Sequence, residues 1–179
     1  MSGLGHLAAG FASKPSTPKV PLLVFLAASE TNEIMYFLFT AAGIEQTARI
    51  SIDFTQGVRY LDAAVNPWSH GLFMSVVWSL LAAGIAAMVY RDRRSAVLIG
   101  LVAFSHWVLD FLMHSNLLLF FEGSPMLGLG LENSGPGFIF MTVLDLALLA
   151  GAISYYLVSR KKRPGQAQQP GDKSQAPIG

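Results

Sequence analysis

The chain has 179 residues, a length that suits one domain. It is 53% hydrophobic and only 13% charged, against about 25% charged for a soluble domain, so its composition is that of a membrane protein. The net charge of +1 gives no reason to expect a nucleic-acid partner. The absence of cysteine excludes disulfides and thiolate metal sites, leaving histidines and carboxylates as the strong metal ligands.

Residues 1–19 read as an N-terminal amphipathic, cytoplasmic segment that carries His6 in Gly5-His6-Leu7-Ala8-Ala9-Gly10. Four apolar segments follow, at about Val20–Ile44, His70–Tyr90, Ala96–Phe121 and Phe138–Val158. Each has the roughly 20 residues a membrane helix needs. The first is interrupted by Ser29-Glu30-Thr31-Asn32-Glu33. Lys14 and Lys19 before it and Ala27-Ala28-Ser29 within it imitate a cleaved signal peptide. Apolar sequence resumes at Ile34, however, which favours an uncleaved helix with a polar notch. Residues 159–179 are rich in Gln, Pro and Gly and read as a disordered cytoplasmic tail.

The basic residues set the orientation. Lys14, Lys19, Arg91, Arg93, Arg94, Arg160, Lys161, Lys162, Arg163 and Lys173 all fall on one side of a four-crossing chain. Only Arg49 and Arg59 fall in the connections opposite. The positive-inside rule then predicts an all-α integral membrane bundle of about four transmembrane helices, residues 20–158, with both termini cytoplasmic. The two outer connections, 45–69 and 120–137, are long enough to form a lid or vestibule. The stretch Arg49–Phe54 alternates as a short strand or interfacial piece would.

The ionisable residues inside the apolar segments are the functional candidates. His106, Asp110 and His114 are spaced four apart and share one helical stripe. At about 1.5 Å per residue, His106 lies near the bilayer midplane and His114 near the outer face. The same arithmetic sets His70, Glu30, Glu33 and Asp145 in the middle or outer half. A single buried histidine in a membrane helix is ordinarily a packing residue; several with carboxylates at one depth point to a metal. His106 and His114 are about 12 Å apart along the axis, too far to share one ion easily. Two arrangements stay open: Asp110 with His114 and His70, or His106 and Asp110 with Glu33. His6 falls on the opposite side from either, unless the N-terminus re-enters the membrane.

Pro67-Trp68-Ser69-His70-Gly71-Leu72, followed by Phe104-Ser105-His106-Trp107-Val108-Leu109-Asp110, resembles the predicted membrane-bound metal-dependent hydrolases. That group includes the LexA-binding, inner-membrane-associated hydrolases. The likeness is closer still to a branch of bacterial integral membrane proteins with a Ser-His-Trp-x-x-Asp-x-x-x-His helix and a Gly-Leu-Gly-Leu-x-Asn-Ser loop. It implies a multi-pass protein of the bacterial inner (plasma) membrane. It makes His70, His106 and Asp110 metal ligands, with His6 and Glu33 as weaker candidates. Two departures stand out: Glu30-Thr31-Asn32-Glu33 replaces the first acidic motif, and Gly71 replaces a usual Ser.

Residues and resemblance together lead to a membrane-bound metal-dependent hydrolase with an outward-facing site. His70, His106, Asp110 and His114 would hold a divalent metal, zinc first. Glu33 or Asp145 would be the catalytic general base. The partners expected are the lipid bilayer and a lipid-linked or periplasmic substrate. The rivals are a small transporter using the same groups, which as a four-helix chain would need a homo-oligomer, and a non-catalytic membrane scaffold.

Overall fold

A computed structural model describes residues 4–47, 49–60 and 65–162. The expected tail lies, from residue 163, outside the described residues. The protein is mostly helical, with two short antiparallel hairpins. Helix α1 is Leu7–Ser13, α2 Leu22–Ser29 and α3 Thr31–Ala41. The short α4 (Pro67–His70) leads into α5 (Leu72–Tyr90), α6 (Arg93–Met113) and α7 (Gly135–Lys161). Three helices, α5, α6 and α7, are long and apolar enough to cross a membrane, and α2 with α3 adds a fourth if the bent pair is one span. Leu80, Met88, Phe140 and Val143 stay exposed on α5 and α7, as side chains facing lipid would.

The notch expected in the first segment is a break. Helices α2 and α3 meet at 61°. The Ser29 and Thr31 hydroxyls donate to the carbonyls of Leu26 (2.8 Å) and Ala28 (2.8 Å), and Asn32 Nδ2 donates to Ser75 Oγ on α5 (2.8 Å). Such local bonds compete with the helical ladder and bend it. The bend leaves the Ser29 carbonyl for a partner from another helix.

Helices α5 and α6 form a tight antiparallel pair. Arg91 turns the chain in a left-handed conformation (φ 50°, ψ 36°). Asp92 then caps α6, accepting from the Ser95 N–H at 3.0 Å. Gly100 lets the helices approach, because a Cβ there would press on Ala83 and the Ser79 carbonyl. Helix α6 is the most buried of the spans. It stops at Met113, eight residues before the expected end, and the outer loop explains why. Gly130 N–H donates to the His114 carbonyl (3.0 Å) and Leu129 N–H to that of Phe111 (2.8 Å), so the Gly128–Gly130 stretch caps the helix. Gly128 needs its φ of 118° and its lack of a side chain to lie against the His114 carbonyl.

The loops pack on one another. Strand β1 (Ile50–Asp53) pairs with β2 (Gly57–Tyr60), Ile50 opposite Tyr60 and Asp53 opposite Gly57. This strand is the alternating stretch read from the sequence. The turn lies against Glu132–Gly135, where Gly57 and Gly135 have no room for a Cβ. Strands β3 (Leu117–Leu118) and β4 (Met126–Leu127) form the second hairpin.

The interior divides in two. An apolar core of Val20, Phe25, Ala28, Ala86, Ala96, Ile99 and Val102 fills the end near the Arg91–Arg94 turn. Beyond it, α6 buries the polar His106 and Asp110 beside Trp107 and Met113, and Ser69, Glu132 and Asp145 are buried on other elements. The N-terminal segment is part of this bundle, since α1 packs on α2 and α7.

Candidate metal centre

All four histidines of the chain aim an Nε2 atom at one carboxylate, that of Asp110. His6 and His114 approach Oδ1, each at 3.5 Å. His106 and His70 approach Oδ2, at 3.4 and 3.6 Å. Asp110 is 4% exposed and His106 fully buried. Glu33 on α3 brings Oε1 to 3.9 Å from His70 Nε2.

The opposite ring nitrogens have partners of their own. His106 Nδ1 lies 2.8 Å from the Ser29 carbonyl freed at the helix break. His114 Nδ1 lies 2.5 Å from Glu132 Oε1, and His70 Nδ1 lies 2.8 Å from Ser69 Oγ. His6 Nδ1 meets His106 Nδ1 at 2.7 Å. A carbonyl can only accept, so a neutral His106 carries its proton on Nδ1 and presents a lone pair at Nε2. In that tautomer the lone pair faces Asp110 Oδ2 at 3.4 Å, and in the imidazolium form Nε2–H donates to it instead. Among the described residues His6 Nε2, His106 Nε2 and Asp110 Oδ2 are buried without a hydrogen-bond partner.

A metal cation is a second way to satisfy that contact, beside a proton on His106. Ligands about 2.0–2.1 Å from a tetrahedral zinc stand about 3.3–3.4 Å from one another, close to the 3.4–3.6 Å between Asp110 and the four Nε2 atoms. Partners holding the far ring nitrogen in place are the usual support of metal-binding histidines. Two compact groups among the described residues have donor atoms close enough for one ion: His6, His106 and Asp110, and Glu33, His70 and His106.

Burial lowers the His6 pKa to about 3 and the His70 pKa to about 4, so both are neutral at neutral pH. His114 differs. Burial opposes its charge, but the Asp110 and Glu132 carboxylates outweigh burial and raise it to about 9.

The sequence-derived residues therefore fall into distinct places. His70, His106, Asp110 and Glu33 come together. His114 reaches Asp110 from the far side of His106, and neither compact group contains it. Asp145 is buried on α7 against Gly5, where a Cβ would strike its carboxylate, and it too lies outside both groups. The reading that set His6 on the opposite side is corrected: the N-terminal segment folds into the bundle and delivers His6 to His106. A signal was present, since Gly5 and Gly10 flank His6 and both lie where a side chain would collide, against Asp145 and Phe25. Glu132 was missed altogether, because a lone acid in a glycine-rich loop has no periodicity to mark it.

The chain matches no family model, no curated protein and no solved structure.

Proposed function

We propose that the protein is a membrane-bound metal-dependent hydrolase built around Asp110. The observation that carries this reading is the convergence of four imidazole Nε2 atoms on one buried carboxylate. The resemblance of the Ser105–Asp110 and Pro67–Leu72 stretches to the predicted membrane-bound hydrolases supports it.

In this reading His6, His106 and Asp110 hold a divalent ion, with His70 and Glu33 beside them. Bound there, zinc would lower the pKa of a water and polarise the scissile phosphoryl or acyl group. Ser29 fixes the His106 ring and Ser69 the His70 ring, so the donors are set before metal arrives. Glu33, about a third exposed beside His70, is the group positioned to take the proton of the attacking water and return it to the leaving group. His114, charged between Glu132 and Asp110, steadies the Asp110 carboxylate rather than donating a lone pair. Hydrolysis thereby adds water across one ester, phosphoester or amide bond, the oxygen joining the phosphoryl or acyl centre and the proton the leaving group.

The basic clusters at Lys14–Lys19, Arg91–Arg94 and Arg160–Lys162 support an inner-membrane orientation with both termini cytoplasmic and the site toward the outer face. The test is turnover of chromogenic phosphoester and ester substrates by the purified chain. Activity should vanish on chelation, return with zinc, and fall at least a hundredfold in Glu33→Gln with metal retained. Chelator-insensitive turnover, or none with any ester in the metal-loaded protein, would overturn the reading.

One observation favours a second reading, transport. The broken helix at Glu30 resembles the discontinuous helices of transporters, and Glu30 Oε1 is buried there without a hydrogen-bond partner. Proton or metal flux into proteoliposomes, abolished by Glu30→Gln, is the result that would select it.

A further inference from the structure

Helix α4 connects the metal centre to a second feature. His70 closes it; Glu45 opens it, with Oε1 accepting from the Trp68 N–H (2.8 Å) and the Ser69 N–H (3.0 Å). The other oxygen, Oε2, is buried and has no hydrogen-bond partner among the described residues, and Glu45 itself is only 5% exposed. Glu45 lines a cavity of about 420 Å³ whose other walls include Glu122, Trp68, Phe121, Val65 and Pro67. The Trp68 and Phe121 rings sit 4.7 Å apart at 57°, forming an aromatic corner. Among the described residues the lining contains two carboxylates and neither lysine nor arginine.

A carboxylate beside an aromatic corner selects a cation, and the Trp68 and Phe121 ring faces favour one that carries methyl groups. Ring faces attract quaternary ammonium through their quadrupole, and the carboxylates supply the balancing charge. Glu45, Gln46 and Glu122 offer acceptors to any ammonium, so the preference for a quaternary one rests on the Trp68 and Phe121 ring faces. We infer that the Glu45–Trp68–Phe121 cavity binds a quaternary ammonium group of the choline type, as the headgroup pocket of the Asp110 centre. As a substrate pocket it rests on the hydrolase reading; as a binding site it does not.

Trp68 and His70 belong to the same short helix, α4, so the pocket and the metal site share one element. Trp68 and Phe121 also belong to a run of aromatic contacts with Phe39, Phe73 and Phe120, the kind of belt that lies at headgroup level. The same ammonium could arrive on a phospholipid or as a free small molecule.

The test is calorimetric titration of the full chain, in a maltoside detergent, with choline chloride against sodium chloride at equal ionic strength. Saturable choline binding is expected, at least tenfold weaker for methylammonium. It should weaken at least tenfold in Trp68→Ala and in Glu45→Gln, which keeps an oxygen for the α4 N–H groups, and severalfold in Glu122→Gln at the exposed rim. Short-chain phosphatidylcholine binding at least tenfold tighter than choline identifies a lipid headgroup; equal affinity identifies a free cation; either supports the site. No saturable choline binding, or unchanged binding in Trp68→Ala and Glu45→Gln, overturns it. Metal content measured on the same samples separates the two readings: metal without choline binding removes this inference alone, and choline binding without metal removes the hydrolase alone.

Discussion

Glu132 gives the sharpest test of how the site is supported. It is 1% exposed, lies in the loop that also caps α6, and meets His114 Nδ1 at 2.5 Å. Replacing it with Ala removes the Glu132 acceptor from a part-buried imidazolium N–H. Replacing it with Gln keeps an acceptor and removes only the charge. A hydrogen bond to a charged group contributes about 1.5–3 kcal/mol and a neutral one about 0.5–1.5 kcal/mol, so Glu132→Gln should cost about 1 kcal/mol and Glu132→Ala about 3 kcal/mol. The second readout is the His114 pKa, about 9 in the folded protein, which should fall toward 6.5 in both variants because one of its two carboxylates is gone. Denaturant unfolding in detergent gives the first quantity and nitrogen-detected imidazole NMR the second. Equal stability of the three proteins, or an unmoved His114 titration, would refute the claim that Glu132 holds His114 and, through it, Asp110.

Three further outcomes follow from the same geometry. His6→Ala should weaken zinc binding at least tenfold in a chelator competition while leaving the helical circular dichroism intact; unchanged affinity would remove His6 from the ligand set. Gly128→Ala forces a side chain into a φ of 118° and against the His114 carbonyl, so unfolding should be easier by about 1–3 kcal/mol or more, and a neutral substitution would refute the capping role of the loop. In the metal-free protein, His6 and His70 titrate below the unfolded value of 6.5 and His114 above it. Stability should therefore fall as pH drops from 6.5 toward 4, where the unfolded state gains protons first. It should fall again as pH rises from 6.5 toward 9, where the unfolded His114 loses its proton first. A thermal melt rising monotonically with pH would contradict this.

Much of the fold could be read in the sequence because the bilayer imposes simple rules. The three long helices follow from apolar runs of sufficient length, and the stripe of His106, Asp110 and His114 follows from spacing alone. His70 was legible because it stands just before an apolar run. What the sequence did not reveal depends on contacts distant along the chain. The bend at Glu30 arises where Ser29 and Thr31 bond back to the preceding turn, and its consequence, a free carbonyl for His106, appears only when α6 lies alongside. His6 was misplaced because depth had been counted along the chain, which cannot register a short helix folding back into the bundle. Counting the spacing of His106 and His114 along the axis concealed that the two oxygens of Asp110 serve one each.

The central claim is that the Asp110 cluster is a metal site, and the metal content of the purified protein tests it most directly. Elemental analysis of the full chain, prepared without chelators, should find a stoichiometric divalent ion, zinc first. The ion should be lost in Asp110→Asn and in His106→Ala, with the helical content of both variants unchanged. A wild-type protein that is folded, carries no metal and takes up none on addition of zinc would contradict the account.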